Sequence, residues 1–379
     1  MLQGLQFSKY QGLGNDFLVL DARSLEVGEE VPGLGPEAVQ RLCDRRFGVG
    51  GDGVILALPP KEGGELRMRI FNADGSEPEM CGNGIRCLAR FLADSDGDVC
   101  PRSWQIETLA GRIVPSLADD GRIRVDMGPP FLAAEAVPTT LVVGEQGLPV
   151  GELTVGGQRL AVAAAGMGNP HAVVPVADVA AVDLDGLGSA LEVHEAFPAR
   201  TNVHFVQVLA PDHLVMRVWE RGAGPTLACG TGACATLVAC HLLGLADRRA
   251  RLDLPGGPLE IEWDPSTDHV FMTGPAEAVF DGVVAPSLFP QSSEQGPEPA
   301  APAAPGPAET AAEGLPAIDC ATVCVGGCIR PEACASAEAR ARVTALLEGR
   351  SLDDLLAMAS ASLESRSRGR LSRDEPGPL

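Results

Sequence analysis

Positive charge, lysine and tyrosine are scarce in this chain of 379 residues. It contains two lysines, Lys9 and Lys61, one tyrosine, and 29 basic against 51 acidic side chains, which gives a net charge of −22. Phosphate binding needs clustered Lys and Arg, so this composition argues against a nucleic-acid partner. A pyridoxal-phosphate enzyme needs a Schiff-base lysine, and neither lysine lies beside a phosphate cradle, so that cofactor is also disfavoured.

Long hydrophobic runs and nucleotide-binding loops are also missing. No apolar stretch is long enough to cross a bilayer, and the first residues lack the basic-then-apolar pattern of a signal peptide. The glycine-rich segment 48–53 lacks the Lys and Ser/Thr of a P-loop, and no GxGxxG stands in the strand–helix context that binds dinucleotides. We therefore expect a cytoplasmic protein that does not bind membranes and works with no cofactor and no metal ion in its active site.

What the chain does have is the same pair of short motifs twice. Cys-Gly-x-Gly occurs at 81–84 and 229–232, each time before an apolar helical run, and Gly-x-Gly-Asn precedes them at 12–15 and 166–169. Corresponding copies lie about 150 residues apart, far beyond the period of about 20–50 residues of solenoid repeats. We therefore predict two related domains, each of which contributes one asparagine loop and one thiol at a helix start.

Strand and helix patterns repeat in the two halves of the chain. Residues 1–135 and 136–288 each combine short strands with one strongly apolar helix, which predicts an α/β fold of two similar, pseudo-symmetric domains. The composition then changes, because residues 289–315 are rich in Pro and Ala, which predicts a disordered linker. Residues 316–379 hold four cysteines and two helix-like runs, which predicts a helical tail of unknown role.

The eleven cysteines differ in their surroundings. In a cytoplasmic protein they stay reduced, so no disulfide framework is expected, and most fit as small core residues. Cys81 and Cys229 do not, because each opens a helix beside glycines. Four more fall in the tail, at Cys320, Cys324, Cys328 and Cys334. Those four are soft metal ligands, but their spacing lacks the C-x2-C knuckle of common zinc sites. Two interpretations of the tail therefore stay open: a metal site, or a helical segment that docks on an unidentified partner.

The two thiols at helix starts carry the predicted chemistry. A thiolate is the reactive form, and a helix N-terminus favours an anion by about 1–2 kcal/mol, which would lower a thiol pKa from about 8.5 toward about 7. The same N–H groups can hold a substrate carboxylate. With one sulfur on each side of a Cα atom, one removes a proton while the other supplies one. For a single copy a buried cysteine in a capping turn is the simpler interpretation, but two copies in matching order favour a two-base proton transfer.

Six segments in order resemble the diaminopimelate epimerase family: GLGNDF (12–17), RRFGVGGDG (45–53), FNADGSEPEMCGNGIRC (71–87), GMGNPHAVV (166–174), RTNVHF (200–205) and ERGAGPTLACGTGA (220–233). The resemblance covers about residues 5–285 and leaves the linker and tail unmatched. It implies a cofactor-independent isomerase that converts a small molecule, LL-2,6-diaminopimelate, to meso-diaminopimelate in lysine and peptidoglycan-precursor synthesis. It also implies that each domain is a barrel-like sheet around a central helix, with the active site in the cleft between the domains.

The resemblance suggests roles for particular residues of this chain. Cys81 and Cys229 resemble the two catalytic bases, and His171 and Glu220 resemble the pair that assists their proton transfers. The substrate-binding shell, which shares Glu220, is implied at Asn15, Asn72, Gly82, Asn83, Asn169, Asn202, Arg221, Gly230 and Thr231. Each of these also has a structural interpretation, as a turn residue, a core histidine or an ion pair at a strand end. Gly53 replaces a polar residue of some relatives and has no side chain to contact a substrate.

Two other functions stay open at this point. Another two-cysteine racemase, such as a proline or hydroxyproline epimerase, would share the paired thiols, although the GLGNDF and ERGAG segments favour the diaminopimelate enzyme. Alternatively, the core is catalytically silent and the tail makes the protein a metal-binding or partner-binding module. The sequence permits a homodimer without indicating one.

Overall fold

The computed structural model describes residues 5–98, 100–285 and 288. This part of the chain contains four α-helices and a short π-helical turn at Leu184–Gly188. The helices are α1 (Pro36–Cys43), α2 (Gly82–Asp96), α3 (Ser189–Glu192) and α4 (Gly230–Leu242). None of them has the length and apolar character needed to span a bilayer.

The same residues form twenty β-strands. Those before residue 130 are β1 (Gln6–Gly12), β2 (Asn15–Asp21), β3 (Gly53–Leu58), β4 (Leu66–Asn72), β5 (Arg102–Ser103), β6 (Ile106–Thr108), β7 (Gly111–Ile113), β8 (Pro115–Leu117) and β9 (Ile123–Asp126). The later ones are β10 (Val142–Val143), β11 (Pro149–Val155), β12 (Gln158–Gly166), β13 (Pro170–Pro175), β14 (Asn202–Ala210), β15 (His213–Glu220), β16 (Gly224–Thr226), β17 (Arg249–Leu254), β18 (Gly257–Trp263), β19 (Val270–Gly274) and β20 (Glu277–Val283). Alternating burial confirms the predicted strand pattern, as in β4, where Leu66, Met68 and Ile70 are buried.

Two sheets collect these strands, and each takes strands from both halves of the chain. The first sheet has the order β20-β1-β2-β3-β4-β6-β7. The second has the order β10-β11-β12-β13-β14-β15-β17-β18-β19-β9-β8-β5, with β16 beside β15. Antiparallel ladders join β20 to β1 and β9 to β19. These ladders tie the two halves together, and the predicted division between residues 135 and 136 stays a prediction.

A long helix runs through the strands of each half. Strands β1, β2, β3, β8, β9 and β20 contact α2, while β12, β13, β14, β17, β18 and β19 contact α4. Residues 232–240 of α4 are all buried, because sheet surrounds this helix and an apolar surface on every side is what it needs. The apolar stripe of α2, formed by Ile85, Leu88, Ala89 and Leu92 at helical spacing, is buried as well. The mixed α/β class with a central helix in each half is confirmed.

Each sheet also carries a short helix on its other face. In the first half, Val39 and Leu42 of α1 pack with strand residues such as Leu18. In the second half, Leu187 and Leu191 pack with residues of β12, β13 and β14. The helix α3 could not be predicted from the sequence, because its four residues follow a turn with two glycines, Leu184–Gly188, and leave no helical period to detect.

Seven of the eleven cysteines lie in the described part of the chain, and all seven are free thiols. The other four belong to the predicted tail at 316–379 and lie outside the described residues, as does the predicted linker at 289–315: Cys320, Cys324, Cys328 and Cys334. The metal-binding and docking alternatives for the tail therefore stay predictions.

Candidate active site

The two Cys-Gly-x-Gly motifs form the starts of α2 and α4, and these starts meet. Cys81 and Cys229 are the N-cap residues, both in extended backbone with φ of −136° and −132°. A Cβ placed on Gly82 would lie 3.9 Å from the Cα of Gly230, so the helices approach each other N-terminus to N-terminus. The Met272 side chain packs against both glycines. The prediction of one thiol at each of two helix starts is confirmed.

A cavity of about 850 Å³ opens at this junction. Its lining includes both thiols and the loops that carry the two Gly-x-Gly-Asn motifs. The predicted site residues that line it are Asn15, Asn72, Cys81, Gly82, Asn83, Asn169, Glu220, Arg221, Cys229, Gly230 and Thr231. Two predicted residues, His171 and Asn202, do not line the cavity and are buried. The fold thus brings two sets of residues, distant in sequence, around one space.

Asn15 is held beside Cys81 by a carboxylate that the sequence analysis did not name. Its Nδ2 donates to Asp52 Oδ2 at 2.7 Å, and its Oδ1 accepts from Asn83 Nδ2 at 3.2 Å. The Cys81 Sγ lies 4.0 Å from the same Asn15 oxygen. Asp52 is fixed in turn by Arg45, whose Nη2 donates to Oδ1 at 2.6 Å. Both Asp52 and Arg45 line the cavity, and both belong to the segment 45–53 that resembled the family.

Asn72 lies at the exposed edge of the cavity, at the end of β4. Its Nδ2 donates to Ser76 Oγ at 3.0 Å. The neighbouring Gly53 contributes no side chain to the cavity, as expected. The structure also shows why this position needs a glycine. A Cβ on Gly53 would lie 2.3 Å from the Phe71 carbonyl oxygen, so no side chain fits without moving β3 or β4.

Asn202 supports the cavity wall from behind. Its Nδ2 donates to the Pro170 carbonyl at 2.9 Å, and its Oδ1 accepts from the Arg221 amide nitrogen at 3.0 Å. The amide group is therefore engaged at both ends with backbone. The Arg221 side chain is exposed at the cavity, where its Nη1 donates to the Ala199 carbonyl at 3.0 Å. Asn202 thus fixes the loop that carries Arg221.

His171 is fully buried between Asn169 and a second histidine, His204. Its Nδ1 lies 2.8 Å from His204 Nε2, and its Nε2 lies 2.7 Å from Asn169 Oδ1. Burial lowers the pKa of His171 well below its usual range and lowers the pKa of His204 to about 3, so both rings are neutral at neutral pH. Nitrogens of both rings and the Cys229 Sγ lie within 4.8 Å of one another. The predicted role of His171 in proton transfer stays a prediction.

Glu220 ends β15 close to the second thiol. Its Oε1 accepts from Thr226 Oγ1 at 2.6 Å. Burial raises the pKa of the Glu220 carboxyl, while the hydrogen bonds from Thr226 and from the Cys229 thiol act in the opposite direction. A carboxyl group with a raised pKa beside a thiol can exchange a proton with it.

Both thiols have raised pKa values, which makes the predicted lowering wrong for this structure. Burial raises the pKa of Cys81 and raises that of Cys229 well above its usual range. The Gly84 amide nitrogen, 3.5 Å from the Cys81 Sγ, acts in the opposite direction, as does the Thr231 hydroxyl at 3.6 Å from the Cys229 Sγ. The negative charge of Glu220 adds to the effect of burial at Cys229. Desolvation of the two buried sulfurs therefore outweighs the stabilisation of a thiolate by the helix ends.

Comparison with known proteins points to one family. A sequence model described as diaminopimelate epimerase matches residues 7–132 and 163–279. A diaminopimelate epimerase of Prochlorococcus marinus is 60% identical over 294 residues, which is 78% of this chain and 97% of that protein. Another, of Acaryochloris marina, is 54% identical over 281 residues, which is 74% of this chain and 98% of that protein.

Two solved structures are similar in fold at much lower sequence identity. A probable proline racemase from Agrobacterium radiobacter has a TM-score of 0.53 at 17% identity and covers 76% of this chain and 94% of its own. A hydroxyproline epimerase from Agrobacterium vitis has a TM-score of 0.53 at 16% identity and covers 75% of this chain and 93% of its own. Such identities show the fold alone, and they confirm the predicted arrangement of two similar domains.

Proposed function

The chain belongs to the diaminopimelate epimerase family and is an isomerase, and from this premise we propose that it interconverts LL- and meso-diaminopimelate with Cys81 and Cys229 as the two proton-handling groups. One observation carries the proposal: both thiols cap helices whose starts meet, and both line the same cavity. A proline or hydroxyproline epimerase is not favoured, because the similarity to such enzymes is one of fold only.

The proposed reaction breaks one C–H bond and forms another on the opposite face of the same carbon. The amides at Gly82-Asn83 and Gly230-Thr231 hold the carboxylate of the reacting centre, since helix starts present unpaired N–H groups and a partial positive charge. One sulfur, as thiolate, removes the α-proton, and the other, as thiol, donates its proton to the other face. The helix ends stabilise the charge that develops on the carboxylate. Turnover exchanges the protonation states of the two sulfurs, which titrate as a pair.

Neighbouring groups compensate for the raised thiol pKa values. We assign Glu220 to proton exchange with Cys229, because its own pKa is raised and its carboxyl lies beside that thiol. His171 assists as a neutral imidazole whose Nε2 hydrogen-bonds Asn169. Because the Asn169 oxygen accepts in this orientation, the Asn169 amide nitrogen is left free to donate toward a substrate in the cavity.

The second amino-acid centre of the substrate must be held rigidly, since only one centre is inverted. Arg221 is a cation at the exposed side of the cavity and suits a carboxylate, which it can bind through two parallel hydrogen bonds. Asn15 and Asn72 can both donate and accept, which suits an ammonium and carboxylate pair. We propose that these three side chains bind the centre that does not react.

A second copy of the chain is the partner we propose beyond the substrate. Among the described residues, β20 lies at one edge of its sheet, and Val279, Phe280 and Val283 on it are 53%, 46% and 60% exposed. An exposed apolar edge favours pairing with another chain. Sedimentation equilibrium should show a dimer that Val279→Asp weakens, and a monomer in the wild type would contradict it. The cytoplasmic location and the docking role of the tail stay proposals from sequence.

The function is tested by the conversion of LL-diaminopimelate in deuterated water, where deuterium should enter the product. The wild type should form deuterated meso-diaminopimelate, and proline should be inert. Cys81→Ala and Cys229→Ala should each abolish epimerisation, whereas Cys87→Ala and Cys234→Ala, at buried positions of the same two helices, should keep it. Near-normal turnover by either Cys81→Ala or Cys229→Ala would contradict the mechanism.

A further inference from the structure

Arg86 is a fully buried cation behind the start of α2. Its Nη1 donates to the Gly82 carbonyl at 3.3 Å and lies 3.4 Å from the Met272 sulfur, and its Nε donates to the Pro275 carbonyl at 3.2 Å. Its Nη2 has no hydrogen-bond partner among the described residues. Within the same residues no carboxylate pairs with this guanidinium, which keeps its charge because arginine is not deprotonated in proteins.

An unpaired buried charge is costly, and even half-buried arginines of this fold are paired with carboxylates. Arg23 pairs with Asp21 and Asp96, and Arg69 pairs with Glu30 and Glu77. A buried charge without a partner destabilises a fold, so its presence calls for a compensating use. Departures of this kind from the rules of packing concentrate at functional sites.

The position of Arg86 relates it to the first thiol. It bonds the carbonyl of Gly82, the residue directly after Cys81, and it touches Met272, which packs against the starts of both helices. The polar and charged groups that act on the Cys81 thiol are the amides of Asn83 and Gly84, the Glu220 carboxyl from β15, the Cys229 thiol, and Arg86 itself. The charge of the guanidinium also acts on the thiols of Cys87 and Cys234, one on each of the two long helices.

The two thiols therefore have different electrostatic surroundings. At Cys229, the negative charge of Glu220 adds to burial, and the pKa is raised well above its usual range. At Cys81, the positive charge of Arg86 opposes both burial and Glu220. The duplicated motifs thus do not create equivalent sulfurs, because Arg86 bonds the carbonyl next to Cys81, whereas the Glu220 carboxyl lies beside Cys229.

We propose that Arg86 is a positioning residue that favours the thiolate of Cys81, so that the free enzyme begins with Cys81 as base and Cys229 as acid. This rests on the proposed function. In the first half-reaction Cys81 takes the α-proton, and Cys229 gives its proton to the opposite face. Cys81 is then a thiol and Cys229 a thiolate, and reverse turnover or proton exchange with solvent restores the starting state.

The test is the pH dependence of alkylation by iodoacetamide in the full-length protein without substrate, with each cysteine followed by mass spectrometry. In the wild type, Cys81 should react before Cys229. Arg86→Met should slow the reaction of Cys81 at pH 7 about tenfold, with an unchanged limiting rate at high pH, because only the thiolate fraction falls. Arg86→Lys keeps the charge and should restore the rate. Arg90→Met, one turn further along α2 at a half-exposed position paired with Asp94, is the matched control and should match the wild type.

Several results would overturn the inference. Prior alkylation of Cys229 in the wild type would do so, as would an unchanged pH profile of Cys81 in a folded Arg86→Met variant. Circular dichroism shows whether Arg86→Met folds. If it does not fold, the Arg86→Lys variant provides the test, because it keeps the positive charge. A shift of the pH profile of Cys81 alkylation to higher pH in Arg86→Lys would contradict the proposal. Alkylation by iodoacetamide needs no turnover, so the two proposals fail separately. A wild type that does not epimerise diaminopimelate would refute the proposed function. A wild type that epimerises it but is alkylated first at Cys229 would refute only the role of Arg86.

Discussion

Asp52 accepts a hydrogen bond of 2.7 Å from the side-chain nitrogen Nδ2 of Asn15 and thereby fixes which end of the Asn15 side-chain amide faces Cys81. The Asn15 oxygen lies toward the Cys81 sulfur, at 4.0 Å, and also accepts from Asn83. Asn15 carries the polar group of the first Gly-x-Gly-Asn motif, but its orientation depends on a carboxylate from another loop. A residue that we propose to bind the substrate is therefore held in place by charged residues behind it, Asp52 and Arg45.

Replacing Asp52 should damage catalysis through Asn15. Asp52→Ala leaves the Asn15 amide free to rotate, and we expect kcat/KM for LL-diaminopimelate to fall about tenfold or more, which is the effect of losing a hydrogen bond to a charged group. Asp178→Ala, in an exposed turn after β13 that does not line the cavity, is the control and should leave kcat/KM near the wild-type value. Steady-state kinetics provides the measurement. A wild-type kcat/KM in Asp52→Ala would show that Asn15 needs no such support.

Glu220 should make stability depend on pH in a defined direction. Burial raises its pKa, so the folded state binds this proton more tightly than the unfolded state does, and the stabilisation is complete below the unfolded pKa and lost as pH rises through the folded value. Relative to Glu220→Gln, the wild type should lose melting temperature as the pH rises above the ordinary pKa of a glutamate, about 4. The same substitution at the exposed Glu152 serves as control. A wild type that gains melting temperature relative to Glu220→Gln as the pH rises would contradict this prediction.

Catalysis should respond to the same substitution. Glu220→Gln removes the carboxyl that exchanges a proton with Cys229, and we expect kcat to fall about 10²-fold, the usual contribution of a general acid or base. Turnover rates for the wild type, Glu220→Gln and Glu152→Gln at one pH give the comparison. Full activity of Glu220→Gln would remove Glu220 from the proton path.

Mild oxidation should inactivate the enzyme by joining Cys81 to Cys229, since thiols facing one cavity can form a disulfide. Mass spectrometry of the oxidised protein should find this cross-link, and a reductant should restore activity. Cys87 and Cys234 are fully buried and should stay unmodified under the same conditions. Inactivation that leaves Cys81 and Cys229 as free thiols would disprove this explanation.

Gly53 should tolerate no side chain. A Cβ there would lie 2.3 Å from the Phe71 carbonyl oxygen, so Gly53→Ala must displace one of two paired strands, at a cost of about 1–3 kcal/mol. Gly35→Ala is the control, because a Cβ at Gly35 meets nothing within 4 Å. Denaturant unfolding of both variants measures the difference. Equal stability of Gly53→Ala and the wild type would contradict the packing found here.

Much of the fold was predictable because its signals are local. Alternation identified the strands, and glycine after cysteine identified the two helix starts, since the caps lie within four residues of the motif. Pairing across the two halves was not predictable, because nothing in β20 or β9 encodes that its partner is β1 or β19. The short helix at 189–192 was missed for lack of a full helical period.

The candidate site divides in the same way. Residues within the motifs were found, whereas Asp52, His204 and Arg86 were not named, because their importance comes from contacts made only after folding. The sign of the thiol pKa shift was also beyond the sequence. A helix start is visible in the residues, but the burial that outweighs it depends on every element packed around the cavity.

The isotope content of both diaminopimelate isomers in the first turnovers, measured in deuterated water from unlabelled LL substrate, tests the two-thiol account most directly. With one sulfur on each face, the new C–H bond comes from a thiol already exchanged with solvent, so the meso product should carry one deuterium while the recovered LL substrate stays unlabelled. Meso product that retains the original α-hydrogen, or LL substrate that gains deuterium as fast as product forms, would mean that a single base serves both faces and would contradict the account.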